Sequence, residues 1–410
     1  MDVRRFSLAV GVIFSLFLLA SCGASMSPVA QTTSQPSFSS RTTATPTTGP
    51  TPTTTPPRIS GFLAQSASFV SADDGFVLGV VACPAGNCLA LRHTVDRGAS
   101  WRAVPPPPTT LGDIDTDGGV SEVHFADALD GWAFDGSLWA THDGGQHWHV
   151  VDLGGLVVAM ASGAGIAFAL VAACVPSSSC TAPGHLYRSP VGQDSWTEVS
   201  GVSAGRLDQG SFSLVAEGRT VFVLTAYPSP DILGSSDGVH FAPLSIPCSP
   251  PNTGGQSPFM PGSLAASDPA DVAVACLGGV GTGNQFKQAF VSHNGGHTYQ
   301  RLPDPPTPGD GAQLAMPAPA TLLLGAVSAA TLVYRIVSPD SSWDMPVFLG
   351  GGGIALTDLA FVDPSHGAFV FGAATFALSI LSAGNPPSGL GALYLTNDAG
   401  AHWLPVHIPT

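Results

Sequence analysis

The sequence predicts an all-β domain, a seven-bladed β-propeller of four-stranded antiparallel blades, and three observations predict it. A motif of the form Ser/Thr-x-Asp-x-Gly-x-x-aromatic recurs through residues 59–410. Its aromatic residues fall at spacings close to one blade. No segment after residue 21 carries sustained helical periodicity.

The motif is intact at Thr94–Trp101 around Asp96 and Gly98, at Thr141–Trp148 around Asp143 and Gly145, and at Thr396–Trp403 around Asp398 and Gly400. Ser292–Tyr299 carries Asn294 in place of the acid, and Ser235–Phe241, around Asp237, is one residue shorter. Ser189–Trp196 and Ser338–Trp343 keep only the ends. The seven aromatics Trp101, Trp148, Trp196, Phe241, Tyr299, Trp343 and Trp403 lie 47, 48, 45, 58, 44 and 60 residues apart. A four-stranded blade uses roughly 40–50 residues, so the two long intervals are read as loop insertions.

Each residue of the motif has a physical task at a tight turn between two strands. The carboxylate and the hydroxyl share hydrogen bonds with turn amides, the glycine takes a positive φ, and the aromatic ring packs back into the sheet. A second repeat places Phe69 before Asp74, Gly75 and Phe76, Phe125 before Asp130, Gly131 and Trp132, and Phe361 before His366, Gly367 and Phe369. These segments read as strands A and B of a blade, with the first motif joining C to D.

The motif resembles the Asp-box, or bacterial neuraminidase repeat, of sialidases, some xyloglucan-active glycosidases, sortilin-type receptors and the photosystem II assembly and stability factors. The resemblance covers residues 59–410 and implies the propeller fold without choosing a function. The second repeat is more similar to the photosystem II branch than to the sialidases.

Residues 1–21 read as a lipoprotein signal peptide. Arg4 and Arg5 precede an apolar run from Phe6 to Ala20, shorter than the roughly 20 residues that span a bilayer. Leu19-Ala20-Ser21-Cys22 resembles the bacterial lipobox, so membrane lipid is the expected partner of an acylated Cys22. Acyl chains hold a protein to a membrane by about 0.8 kcal/mol per buried CH₂. The expected location is the cell surface or the periplasmic side of the membrane. Residues 22–58, rich in Ser, Thr and Pro, read as a disordered tether.

Six cysteines remain after Cys22, and an even count in an exported chain favours disulfides. Of the possible pairings, Cys83–Cys88, Cys174–Cys180 and Cys248–Cys276 are the most economical. The formal net charge of −15 becomes −16 once Asp2, Arg4 and Arg5 are removed, and Lys287 is the single lysine. Phosphate recognition needs clustered cations, so nucleic acid is not an expected partner. A monomer is expected.

Antiparallel blades place A–B and C–D turns on one face and the B–C and D–A connections on the other. The long connections 105–119, 247–262, 278–287, 303–311 and 379–391 all fall on the second face, where binding is expected around Arg206, Asp208, Asp231, Phe259, Met260, Lys287 and Asp310. Glycine runs 278–283 and 350–353 read as loops. Asp113, Asp115 and Asp117 alternate ahead of Gly118 and read either as a calcium loop or as a solvated acidic turn. The twelfth position of that loop is His124 and the ninth is Ser121, a departure from known calcium loops. His142, His147, His293, His297 and His402 lie inside the turn motifs and His149 just beyond one. They are too few within a blade for a three-ligand set, and different blades are expected to keep them apart, so no metal is expected from them.

Two functions follow. The first is a non-catalytic binding or assembly scaffold, with a protein or glycan ligand. The alternative is a sialidase-like glycoside hydrolase, which needs three convergent arginines, a Tyr/Glu nucleophile pair and an acid. Arg41 and Arg58 belong to the tether, Arg97 and Arg102 flank one turn, and Glu122, Glu198 and Glu217 are the only glutamates. A carboxyl pair built from aspartates would still serve. A photosystem-assembly role, which the resemblance also implies, leans on an arginine patch that has no counterpart here.

Overall fold

The computed structural model describes residues 59, 61–84, 86–112, 118–172, 184–203, 212–225, 230–248, 258–337, 342–351, 354–381 and 389–410. They form seven four-stranded antiparallel sheets, each built from four strands consecutive in sequence. Blade 1 is β1 (Leu63–Phe69), β2 (Gly75–Cys83), β3 (Gly86–Thr94) and β4 (Arg102–Val104); blade 2 is β5 (Glu122–Phe125), β6 (Gly131–Phe134), β7 (Leu138–Thr141) and β8 (His149–Val151). Blade 3 is β9 (Leu156–Gly163), β10 (Ile166–Ala172), β11 (His185–Pro190) and β12 (Thr197–Ser203); blade 4 is β13 (Phe212–Glu217), β14 (Thr220–Thr225), β15 (Asp231–Ser235) and β16 (Ala242–Pro243). Blade 5 is β17 (Met260–Ala266), β18 (Val272–Gly281), β19 (Asn284–Ser292) and β20 (Gln300–Arg301); blade 6 is β21 (Asp310–Ala318), β22 (Thr321–Val327), β23 (Ala330–Val337) and β24 (Phe348–Gly351). Blade 7 is β25 (Leu356–Phe361), β26 (Gly367–Phe371), β27 (Ala392–Thr396) and β28 (Leu404–Val406).

Burial follows position within the blade. Second strands are apolar nearly throughout, as in IAFALVA of β10 and TLLLGAV of β22, because both their faces are covered by neighbouring blades. Fourth strands are short and exposed, as in β4, β8 and β20. The core is therefore a ring of layers, one at each junction, running from blades 1 and 2 around to blades 6 and 7 and back to blade 1.

First strands are tied to one another by side chains. Ser66 Oγ accepts from the Val123 amide at 3.0 Å and Ser68 Oγ from Phe125 at 2.8 Å. Ser213 and Ser263 repeat the bond toward Leu264 and Leu314, both at 3.2 Å. Between blades 7 and 1 the acceptor is Asp358, whose Oδ2 takes the Ala67 amide at 2.7 Å. Among the described residues no strand is exchanged there, and closure rests on side-by-side packing with bonds that include this one, the Ala64 amide on the Gly391 carbonyl at 2.8 Å and the Thr375 amide on Gln65 Oε1 at 2.9 Å.

The repeat turns sit between third and fourth strands. In blade 2, Thr141 Oγ1 accepts the Gly145 amide at 2.9 Å, Asp143 Oδ1 accepts the His147 amide at 2.9 Å, and Gly145 has φ +82°. Blades 1 and 7 repeat this with Thr94, Asp96 and Gly98 and with Thr396, Asp398 and Gly400. Asn294 does the same in blade 5, accepting from Thr298 at 2.9 Å. In blade 4, Asp237 Oδ1 accepts from Val239 and His240, both at 2.8 Å. The aromatics Trp101, Trp148, Phe241, Tyr299 and Trp403 all lie against junction layers.

Three expectations need correction. The connection after β26 contains a helix, α1 (Ala374–Leu381), where sequence periodicity indicated none. It is one short run, ATFALSIL, of about two turns, too brief to show a sustained period; Ala374 and Ala377 are fully buried and Ser379 is exposed. The glycine run 278–283 is largely strand, forming the outer end of the β18–β19 hairpin, and Gly350 and Gly351 end β24. Lys287, expected on an exposed loop, is buried: its ammonium donates to the Gln285, Thr307 and Gly309 carbonyls at 3.2, 3.1 and 2.5 Å, and to Pro306 and Pro308 at 3.4 Å. It fastens the connection between blades 5 and 6 onto the hairpin instead of facing solvent.

Candidate functional site

A cavity of about 310 Å³ lies where blades 7, 1 and 2 meet. Its inner wall is built by first strands, which contribute Ala67 and Ser68 from β1, Glu122 and His124 from β5, and Asp358 and Ala360 from β25. Phe69, Phe125, Phe134, Met160 and Phe361 add apolar surface. The cavity reaches the face carrying the A–B turns, where Ser71, Val362 and His366 line its mouth. It therefore lies on the side opposite the long connections, where binding was expected.

Glu122, His124 and Asp358 are the titratable groups of its inner wall. Ser66 Oγ donates to Glu122 Oε2 at 3.1 Å, and the Glu122 and Asp358 carboxyls are near enough for each to act on the other's ionisation. Burial raises the Glu122 carboxyl well above the usual carboxylate range, and the charges of Asp358 and then Asp135 raise it further. Burial also raises Asp358, against hydrogen bonds from Ala67, Ser66 and Glu122. The pair thus holds a proton where isolated carboxyls would have lost it. His124 is pulled down to about 4 by burial and is a neutral imidazole in contact with Ser162 Oγ at 2.9 Å. Arg97 is the arginine on the cavity wall among the described residues, and its Nη2 is engaged by Asp73 at 2.9 Å.

The other described arginines are spread over several blades. Arg92 donates to the Pro409 carbonyl, Arg188 to Gly238, and Arg335 to Ala399. They do not converge.

Of the residues expected to form a binding face, Asp231 is exposed at the start of β15, Phe259 and Met260 are half-buried, and Asp310 is half-buried beside Lys287. Phe259 packs toward the Cys248–Cys276 disulfide. Arg206 and Asp208 lie outside the described residues, as do Asp113, Asp115, Asp117, Cys22 and the Cys174–Cys180 pair. Cys83–Cys88 and Cys248–Cys276 are bonded. Exposed apolar groups on the loop-rich side are Val280 and Phe286 of the β18–β19 hairpin, 70% and 52% exposed.

Sequence reasoning missed His124, Met160 and Asp358 as cavity residues. The signal for Asp358 was an acid inside the apolar strand LTDLAF, at a level where other first strands use serine. The expectation about the histidines counted imidazoles alone and so passed over a carboxylate from a neighbouring blade. His142 and His149 of blade 2 meet Asp194 of blade 3. The third group is an aspartate from the neighbouring blade, in one of the two turns that keep only the ends of the motif.

No protein-family model matches this sequence, and no curated protein matches it. Among solved structures, YCF48 from Cyanidioschyzon merolae is 12% identical over 77% of this chain and 94% of that one, with a TM-score of 0.50. The β-propeller domain of the trilobed protease from Pyrococcus furiosus, described as having an open velcro topology, is 8% identical over 85% and 97%, also at 0.50. The acylaminoacyl peptidase of Pyrococcus horikoshii is 7% identical over 85% of this chain and 52% of that one, again at 0.50. At such identities the likeness is one of fold.

Proposed function

We propose that this chain is a membrane-tethered extracytoplasmic binding module without chemistry of its own, its repeat turns being Asp-boxes. An acylated Cys22 and the 22–58 tether hold it at the membrane. The two disulfides, Cys83–Cys88 and Cys248–Cys276, suit the oxidising side of that membrane. Its ligand is a segment of protein or glycan seated in the cavity between blades 7, 1 and 2, whose volume falls in the range of small-ligand pockets, roughly 300–1,000 Å³.

One observation carries the non-catalytic reading: among the described residues the arginines do not converge on the cavity, Arg97 being engaged by Asp73 and Arg92, Arg188 and Arg335 by backbone carbonyls in separate places. A sialidase-type site needs three arginines directed at the substrate carboxylate. The acids of the cavity, Glu122 and Asp358, are instead engaged with blade 1 through Ser66 and the Ala67 amide. A second reading, binding through the loop-rich face, is favoured by the exposure of Val280 and Phe286.

The test is capture of partners from intact cells with two sets of variants. Ala360 is exposed on the cavity wall, so Ala360→Trp fills the cavity without disturbing the core. It is expected to lose the captured partner, while Val280→Ser with Phe286→Ser keeps it. The reverse pattern moves the site to the loop-rich face. Turnover of sialoside or β-glucan substrates that Asp358→Asn abolishes would replace the binding reading by the hydrolase.

A further inference from the structure

Two C–D turns in blades 2 and 5 carry the same clip, a histidine held by the aspartate that precedes the second strand. In blade 5 the pair is His293 Nδ1 with Asp271. In blade 2 it is His142 Nδ1 with Asp130 Oδ1 at 2.7 Å. The blade 2 pair has further neighbours. His142 Nε2 points at Asp194 Oδ2, 2.9 Å away, and His149 Nε2 reaches the same oxygen at 2.7 Å. Asp194 comes from the C–D turn of blade 3. Its other oxygen, Oδ1, accepts from Trp196 Nε1 at 3.2 Å and Trp132 Nε1 at 3.5 Å, which orients Oδ2 toward the two imidazoles.

We propose that His142, His149 and Asp194 bind a divalent transition cation of the zinc class, with Asp130 as the carboxylate that orients His142. The three ligand atoms lie within 4.8 Å of one another. Each nitrogen stands 2.9 or 2.7 Å from the shared oxygen, and a tetrahedral cation bonded at about 2.0–2.2 Å would hold such atoms roughly half an ångström further apart, a shift within reach of side-chain rotation. Metal-bound histidine commonly donates its second ring N–H to a carboxylate, the position Asp130 occupies. Two imidazole nitrogens favour zinc over calcium or magnesium, which prefer oxygen alone. Two carboxylates and two neutral imidazoles carry two negative charges, matched by one divalent ion. The His149 side chain is 53% exposed, so the fourth position faces solvent, where water or a partner's side chain completes the tetrahedron. A metal here joins blades 2 and 3 across their junction.

The experiment uses the full-length chain, purified without a histidine tag and stripped with EDTA. It is titrated with zinc by calorimetry, and with cobalt(II) while visible absorption is followed. The wild type is expected to take up one zinc and to give the intense cobalt bands of a tetrahedral site. His149 lies at an exposed edge strand, so His149→Ala keeps the fold, as thermal unfolding of the stripped protein checks, and loses the site. Asp130→Asn, which touches no metal, is expected to weaken binding roughly 10–100-fold. His293→Ala removes the matching clip of blade 5 and leaves binding unchanged. The proposal is overturned if the wild type takes up no stoichiometric zinc, if His149→Ala binds as tightly as wild type, or if His293→Ala loses binding equally.

Discussion

At the scale of single residues, the repeat turns show how one acid stabilises a corner. The His147 backbone amide foremost, then the His147 ring and Thr141, hold Asp143 down at about 2. Burial raises Asp398, but the His402 amide and ring and Thr396 outweigh it and bring it to about 2. A carboxyl depressed in the folded state contributes stability that is full above its unfolded value near pH 4 and is lost as pH falls through about 2. Asn294 fills the same role without a charge. Asp143→Asn combined with Asp398→Asn is therefore expected to lower neutral-pH stability, the amide keeping the turn bonds but not the charge, and to flatten the acid limb, measured as melting temperature between pH 2 and 7. Glu217 has the opposite sign: burial, then the charge of Asp268, pushes it up to about 7 from an ordinary 4.5. Its folded form binds the proton more tightly, so stability falls as pH rises through that window. Glu217→Gln should remove this decline, and a plot of melting temperature from pH 4 to 8 that keeps its slope would refute the assignment.

At the scale of elements, the second repeat is explained by a ring lying over a glycine. A Cβ added at Gly75, Gly131 or Gly367 would overlap the ring of Phe69, Phe125 or Phe361 respectively. The aromatic at the end of the first strand and the glycine opening the second are thus one packing unit, which is why they recur together. Gly131→Ala is expected to cost about 1–3 kcal/mol through overpacking, measured by denaturant unfolding, and Phe125→Leu in the same chain should restore part of the loss. This unit and the turn clip were legible in sequence because each is local. Helix α1 was not: eight residues make only about two turns, too few for a 3.6-residue period to stand out, and packing against blade 1 buries Ala374 and Ala377. The Lys287 cage was hidden for a related reason, since its carbonyl ligands lie about twenty residues away and backbone acceptors have no sequence signature.

For the whole molecule, closure joins first and last blades that share no strand among the described residues. Asp358 contributes to it by accepting the Ala67 amide, beside the bonds of Ala64 to Gly391 and of Thr375 to Gln65. Asp358→Ala leaves the half-buried Ala67 amide without its acceptor and should cost about 1 kcal/mol, with faster hydrogen exchange at Ala67. Asp358→Asn keeps an acceptor and removes the charge facing Glu122. Both carboxyls are raised in the folded state, so their ionisation weakens the fold as pH rises. Asp358→Asn should therefore hold stability at pH 5 and gain on wild type at pH 8, compared by denaturant unfolding at the two values. Equal losses for the two variants would show that Asp358 acts by charge and not as an acceptor.

The seven blades, their four-strand order, the face carrying the turns and two disulfide pairings were all readable from the chain alone. Each is written in short-range pattern: alternation, turn chemistry, and spacing between like aromatics. The sites were not readable in this way. Glu122 and Asp358 are separated by more than half the chain and meet only because the ring closes, and Asp194 joins His142 and His149 only because blade 3 packs on blade 2. A repeat specifies its own blade through local bonds, whereas groups contributed by different blades are brought together by the radial packing of all seven.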